Sequence, residues 1–358
     1  MTQQETQSTK WAGLLVGLAL LIILVVLVAE ADKWIADSFK AQGVSKNPLE
    51  YPLTAVVIGL IANAVLRVTG LYTFIRPAVR TELFLKIGLV LLGARISLGD
   101  LLAQGTGGLI QALIMVASVF LFTWWLAGRF KLPETLKAVM ASAVSVCGVS
   151  AAIAAAGAVQ ARKEEVSYIT TLVILTAIPL MVLMPWLANV MGLNPTVAGA
   201  WFGGNIDTTA AVVGAGTIYG PEAQQVAAVV KLAQNVMIGV VAFLLALYFA
   251  MVVNRGEGER PTPIMIWHRF PKFVLGFVVV SILASLDMFT PALVAEIDTA
   301  NKWFFALAFV CIGLDFTLAE LRKAGWKPTA VYMGATVFNT VLALIVATVI
   351  FGVLGLGA

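Results

Sequence analysis

The chain has 358 residues, 60% of them hydrophobic and only 12% charged, with a formal net charge of +4. That much apolar sequence exceeds the needs of a soluble core and reads as a polytopic membrane protein with little chain left for a soluble domain. No nucleic-acid partner is indicated, because the basic residues gather in a few short loops. Cys147 and Cys311 lie in apolar runs and His268 stands alone in a basic loop. There is accordingly no disulfide framework, no metal-ligand spacing and no support for a Cys/His or Ser/His active site.

A membrane span needs ~20 apolar residues. Eleven candidate helices follow in order, at about 11–29, 52–66, 83–98, 106–127, 133–158, 165–190, 196–216, 222–251, 272–286, 302–318 and 327–355. Several are near 15 residues, so they are expected to be tilted, longer than drawn, or partly unwound. The first apolar run exceeds a usual signal h-region, although Ala29 and Ala31 loosely mimic a cleavage site, and it reads as a retained helix. Residues 30–51 form a mixed-charge external loop, and 253–271 is the one linker-like stretch. The divisions are therefore 1–51, 52–252 with the interrupted segments, the cytoplasmic linker 253–271, and 272–358.

Loop charge sets the expected topology. Arg67, Arg76 and Arg80 mark one cytoplasmic loop; Arg129, Lys131 and Lys137 mark another. Arg255, Arg260, Arg269 and Lys272 mark a third, and Arg322, Lys323 and Lys327 a fourth. All four fall on one side if every segment crosses once, which puts the N-terminus in the cytoplasm and the C-terminus outside. Arg162 and Lys163 fall on the opposite side, offset by Glu164 and Glu165.

Residues 141–157 are small and polar where a plain spanning helix would be Leu-rich. Gly148 can break the helix, and Ser145, Cys147 and Ser150 place small polar groups at one depth. Backbone donors freed in mid-membrane are tolerated only against protein, water or a ligand. A half-helix beginning near Ser150 would aim them, with its positive end, at an anion. The competing reading is close packing, since small residues let membrane helices approach.

Charges inside apolar segments are costly and mark function or pairing. Lys86 and Arg95 lie near span ends and can snorkel, and Asp315 lies near another end, where a structural salt bridge is expected. Asp207 sits in Gly203-Gly-Asn-Ile-Asp-Thr-Thr, beside Asn205, Thr208 and Thr209. The two glycines permit an unwound backbone or a close helix approach. The oxygen donors suit a small cation; alternatively Asp207 carries a proton, or is a buried acid satisfied by nearby hydroxyls and Lys231. Lys231, with Gln234 and Asn235, forms a second polar group that could neutralise Asp207, hold an anion, or join proton coupling. Thr208-Thr209 and Ser142-Ser145 have no base spaced to make them nucleophiles.

An internal repeat is visible. Gly93-Ala-Arg-Ile-Ser-Leu-Gly-Asp-Leu, followed by Gly105, aligns with Gly313-Leu-Asp-Phe-Thr-Leu-Ala-Glu-Leu, followed by Gly325. By the loop count the copies run in opposite directions, the inverted-repeat plan of many secondary transporters. An alternative offset pairs the fifth span with the tenth and sets Cys147 opposite Cys311.

Leu92-Gly-Ala-Arg-Ile-Ser-Leu, Val146-Cys-Gly-Val-Ser-Ala-Ala-Ile-Ala-Ala, Trp201-Phe-Gly-Gly-Asn-Ile-Asp and Val230-Lys-Leu together resemble a family of bacterial sulfate exporters. The likeness runs from about residue 52 to the end. It is similar, more distantly, to the bile-acid/sodium symporter and auxin-carrier superfamily. The resemblance implies panel and core domains, crossed broken helices in the core, elevator-type alternating access and a homodimer in the bacterial inner membrane. It implies that Cys147, Gly148, Ser150 and Ala151 line the break, and that Gly204, Asn205 and Lys231 face it. Two positions depart from the family pattern: Asp207 stands where a His is expected and Gln234 where an Arg often follows the Lys. An acid and an amide replace two bases, which favours cation coupling or a less charged anion, such as a sulfonate, over sulfate.

The sequence reads as a secondary transporter of a small anion, a sulfur oxyanion or organic sulfonate, and not an enzyme. The anion site is expected at Ser145, Cys147, Gly148, Ser150, Ala151, Gly204, Asn205 and Lys231. Sodium or proton coupling is expected at Asn205, Asp207, Thr208 and Thr209, with no other cofactor and no metal. A passive anion channel is the alternative.

Overall fold

A computed structural model describes residues 3–41, 51–95, 98–253, 264, 267, 272–316 and 326–356. Of the loop expected at 30–51, residues 30–41 are instead helical, continuing the first helix; residues 42–50, most of the 253–271 linker with His268, and parts of both repeat copies, at 96–97 and 317–325, lie outside the described residues. Among the described residues there are helices and no strands. A chain this apolar must satisfy its backbone within each segment once water is excluded, and only a helix does so without a partner strand.

The long helices, in order, are α1 Gln3–Ala41, α2 Tyr51–Val68, α3 Thr81–Leu92, α4 Leu98–Arg129, α5 Glu134–Ser142, α6 Val149–Val159, α7 Lys163–Val190, α8 Pro195–Asn205, α9 Thr209–Tyr219, α10 Pro221–Tyr248, α11 Phe273–Ser285, α12 Pro291–Asp315 and α13 Trp326–Ala347. Seven described helices are long and apolar enough to cross a membrane: α1, α2, α4, α7, α10, α12 and α13. The other expected segments take two forms. Two are interrupted pairs, α5 with α6 and α8 with α9; two are short helices, α3 of 12 residues and α11 of 13.

The chain forms two compact units, each drawn from two stretches: Met1–Ile96 with Gly276–Phe316, and Ser97–Leu275 with Thr317–Ala358. In the first unit α2 and α12 touch backbone to backbone. A Cβ built on Gly313 would lie 2.6 Å from the Leu60 nitrogen, and one on Gly59 would lie 3.0 Å from the Gly313 Cα. The missing side chains are what permit this crossing.

The charges of this unit are satisfied locally. Arg95 Nη1 donates to Asp298 Oδ1 at 3.0 Å, and Lys302 reaches the other oxygen of Asp298 at 3.2 Å. Asp315 accepts from the Tyr72 hydroxyl at 2.9 Å and from Thr81 Oγ1 at 3.2 Å. Arg95 and Asp315, matched by the sequence repeat, thus belong to separate networks. Lys86 pairs with Glu82 at 2.8 Å on an exposed helix face.

The second unit holds α4 to α10 and α13, and with them both interruptions. Close approach again rests on small residues. Gly203 of α8 faces α10, where a Cβ would meet the Ala227 carbonyl oxygen at 2.8 Å.

Candidate functional site

The first interruption follows α5. The helix widens into a π turn over Ala143–Cys147, and the chain then reverses at Gly148, with φ +64° and ψ −114°. A side chain is excluded there twice over. The positive φ disfavours L residues, and a Cβ would lie 2.6 Å from Val173 Cγ1. Helix α6 starts at Val149 with no side chain capping its first turn. The break therefore falls two residues before Ser150, with the free donors of α6 beginning at the turn itself.

The second interruption is an extended bridge. Helix α8 ends at Asn205, Ile206 and Thr208 have β-region backbones, and α9 starts at Thr209. Thr208 Oγ1 accepts the Ala211 amide at 3.2 Å and caps α9, as a β-region hydroxyl residue before a helix does. Gly203 and Gly204 remain inside α8. Of the two roles open to them, close approach is the one they perform: Gly203 to α10, and Gly204 to the Gln111 amide of α4, which fills the space a side chain would take. Asp207 marks the middle of the bridge.

The two interruptions meet. A Cβ on Gly148 would lie 3.3 Å from the Asp207 carbonyl oxygen. Two further helices, α10 and α13, hold the crossing. From α10, Lys231 Nζ donates to the Val146 carbonyl and to Gln234 Oε1, each at 2.8 Å, and Gln234 Nε2 donates to the Ser145 carbonyl at 2.8 Å. These carbonyls end the first half-helix, where the helix dipole is negative, so a cation and an amide are the donors expected to satisfy them. Asn235 Nδ2 donates to Thr209 Oγ1 at 3.2 Å, tying α10 to the start of α9.

From α13, the Tyr332 hydroxyl donates to Asp207 Oδ2. Asn339 Nδ2 donates to the Asn205 carbonyl at 2.8 Å and reaches the Val144 carbonyl at 3.4 Å, touching both breaks. Thr340 Oγ1 donates to Asn205 Oδ1 at 2.9 Å.

Asp207 and Lys231 are both buried, at 2% and 1% exposure, yet no ion pair joins them. Lys231 is spent on the break carbonyl and Gln234, and Asp207 on Tyr332. Several buried polar atoms around the crossing have no hydrogen-bond partner: Ser145 Oγ, Asp207 Oδ1, Asn235 Oδ1 and Asn339 Oδ1. Leaving one such atom unpaired costs about 1–3 kcal/mol, so a cluster of them calls for polar partners such as water or an ion.

The expected anion-site residues divide. Ser145, Gly148, Asn205 and Lys231 belong to the crossing. Cys147 and Ala151 pack in an apolar cluster with Val116, Val146 and Ile238, with Cys147 also interacting electrostatically with Lys231, and Gly204 faces Gln111. Ser150 is half-buried on the first turn of α6, and Thr208 and Thr209 are half-buried at the start of α9. Tyr332, Asn339 and Thr340 were not singled out from the sequence. Their signal is a polar stripe on α13, Tyr332, Thr336, Asn339 and Thr340, spaced to share one helix face.

A family model described as conserved hypothetical protein 698 matches residues 16–349. The chain belongs to this family. It is 41% identical over 319 residues to the UPF0324 membrane protein RB9488 of Rhodopirellula baltica, covering 85% of this chain and 58% of that protein. It is 40% identical over 314 residues to a UPF0324 membrane protein of Nitratidesulfovibrio vulgaris, covering 83% of this chain and 54% of that protein. It is 31% identical over 325 residues to the UPF0324 membrane protein TauZ of Paracoccus denitrificans, covering 89% and 91%. The chain thus spans about half the length of the first two relatives, 58% and 54%, and nearly all of TauZ. No solved structure matches it. Relatives named as membrane proteins, together with seven helices of spanning length and composition, make this family member a multi-pass membrane protein.

Proposed function

We propose that the protein is a secondary transporter that moves a small anion, an organic sulfonate or sulfur oxyanion, by alternating access, driven by a sodium or proton gradient. The observation that carries this reading is the meeting of two interrupted helices around a buried Asp and a buried Lys. Irregular backbone within membrane-length apolar sequence is tolerated where it lines a cavity. The N-termini of α6 and α9 both start at the crossing, and half-helix N-termini aimed at an anion are the binding device of many carriers.

Ser145 and the free donors of α6 and α9 form the anion site in this reading, with Lys231 as counter-charge through its remaining proton. Asp207 forms the ion-coupling site. The resemblance to sulfate exporters and bile-acid/sodium symporters supports a carrier of the elevator type. The second unit carries both interruptions and every polar group of the site, which suits the moving core; the first unit, whose described membrane-length helices are uninterrupted, suits the panel. The chain spans the bacterial inner membrane, with the N-terminus cytoplasmic and two copies forming a dimer.

The test is counterflow in proteoliposomes loaded with taurine, isethionate, sulfite or sulfate. A carrier gives saturable exchange that is accelerated by substrate on the far side. Linear, non-saturating flux with no such acceleration would show a channel instead. Asp207→Asn is expected to remove ion dependence before it removes substrate exchange; unchanged uptake with unchanged ion dependence rules out that role.

A further inference from the structure

Where each interrupted pair begins and ends decides how it sits in the membrane. Thr135 Oγ1, in the first turn of α5, donates to Glu165 Oε1, in the first turn of α7, at 3.2 Å. A segment rising straight from Thr135 to Val159 would separate its ends by ~36 Å at 1.5 Å per residue. The six residues from Val159 to Glu165 can reach back at most ~21 Å. The segment therefore folds back at Gly148, and Ala138 of α5 shares a packed cluster with Ala155 and Val159 of α6. The second pair folds back likewise. The Tyr219 hydroxyl, at the end of α9, donates to the Leu193 carbonyl just before α8. Thr196 Oγ1, in the first turn of α8, donates to Glu222 Oε1, beyond the end of α9, at 2.7 Å.

The open ends of the two pairs point opposite ways. The first lies among helix ends whose loops are basic. Its cluster takes in Phe120 and Trp124 from the last turns of α4, and Leu245 and Phe249 from the end of α10. Tyr168 of α7 shares a hydrogen bond of 2.9 Å with Thr329, near the start of α13. The loops at these ends carry Arg129 and Lys131, Arg255 and Arg260, and Arg322 and Lys323, which marks this face as cytoplasmic. The second open end lies at the other ends of the same helices. A Cβ on Gly352, in the π turn that continues α13, would lie 3.3 Å from Val197 Cγ2 of α8, and α10 begins at Pro221, next to the Glu222 that holds Thr196. Asn339, which touches both breaks, is near the middle of the Trp326–Val353 span.

We infer that the two interrupted pairs are re-entrant hairpins that enter from opposite faces and meet tip to tip at mid-membrane, α5–α6 from the cytoplasm and α8–α9 from outside. The lengths agree. Helices α6, α8 and α9 have 11 residues each. That is ~16 Å of helix, about half of the ~30 Å hydrocarbon core. The charges agree as well. Arg162 and Lys163 break the positive-inside rule when every segment crosses once; they come to the cytoplasmic face when α5–α6 returns there. Two crossings are lost together, so the first and last helices keep their orientation and only α7 is turned over. The anion site then lies between the tips, covered on each face by one hairpin. That placement rests on the carrier reading above, whereas the hairpin topology does not.

The test is cysteine labelling, and it needs no substrate. Glu164→Cys lies at the start of α7 and Met191→Cys just past its end, both at exposed positions. Thr69→Cys serves as the cytoplasmic reference and Met288→Cys as the outer one, again at exposed positions. A membrane-impermeant maleimide is applied to right-side-out and to inside-out membrane vesicles. The wild type, whose two cysteines are buried, is the blank. The expected result is that Glu164→Cys reacts only in inside-out vesicles, with Thr69→Cys, and Met191→Cys only in right-side-out vesicles, with Met288→Cys. The exchanged pattern means that both segments cross, and it overturns the inference; labelling of both positions from one face overturns it too. Lys163→Cys and Val190→Cys, one residue away in each case, repeat the readout where a variant fails to accumulate or to react. Counterflow that fails while the labelling is as expected removes the anion from the tips and leaves the hairpins standing.

Discussion

The two interrupted helices solve one problem with opposite chemistry. The first breaks at a glycine with φ +64° and has no acidic or basic group of its own; its free carbonyls are capped from outside, by Lys231 and Gln234 of α10. The second breaks without any positive-φ residue, across an extended bridge, and brings its own carboxylate and its own hydroxyl cap at Thr208. The first break is shaped by what its backbone lacks, the second by what its side chains carry. Substitutions at the first are expected to damage the fold, and substitutions at the second to alter ion handling while the fold persists.

That contrast can be broken at several points. The largest effect is expected from Gly148→Ala, which meets both the strained backbone and the Val173 contact at 2.6 Å. A loss of about 3 kcal/mol is expected, read as reduced thermal stability in detergent. A melting curve like the wild type would show that the first break does not depend on glycine. Lys231→Met comes next. It leaves the Val146 carbonyl and Gln234 without a donor, a loss of about 2 kcal/mol by the same measurement. Lys231→Arg keeps donors and charge and is expected to recover part of it.

Asn339→Ala sharpens the comparison, because this side chain touches both breaks. A loss of about 1 kcal/mol is expected, and in a double-mutant cycle with Gln234→Ala the two should fail to add if the breaks move together. Thr208→Ala removes only the cap on α9 and is expected to cost about 1 kcal/mol or less. Lys86→Ala, at an exposed i, i+4 pair of the other unit, is expected to change stability by only about 0.3 kcal/mol.

The breaks were legible because each violates a local rule. Small polar residues with a central glycine do not belong in a lipid-facing helix, and a carboxylate does not belong in an apolar run. What holds the breaks was less legible. Tyr332, Asn339 and Thr340 are uncharged residues scattered along an apolar helix, and their shared purpose appears only when α13 is laid against Asn205 and Asp207. Cys147, expected at the site from its motif, packs in an apolar cluster and also interacts electrostatically with Lys231, and no periodicity in the sequence reports the extra residue of the π turn that ends at it. The glycines at 203 and 204 permitted either a break or a close approach, and only the neighbouring Ala227 and Gln111 decide between them. Arg95 and Asp315 were visible as charges needing partners, while Asp298, Tyr72 and Thr81 became their partners only through tertiary packing.

The central claim is that the crossing binds an anion in a way that depends on Asp207. Its most direct test is thermal stabilisation of the purified protein by taurine, isethionate, sulfite, sulfate and small carboxylates, across pH and with or without sodium, for the wild type and Asp207→Asn. Stabilisation by mass action reports whatever binds the folded state. A sulfonate is expected to raise the melting temperature of the wild type to an extent that depends on sodium or on pH, and Asp207→Asn is expected to keep the shift but lose that dependence. No shift with any anion, or an identical ion dependence in Asp207→Asn, would contradict this reading.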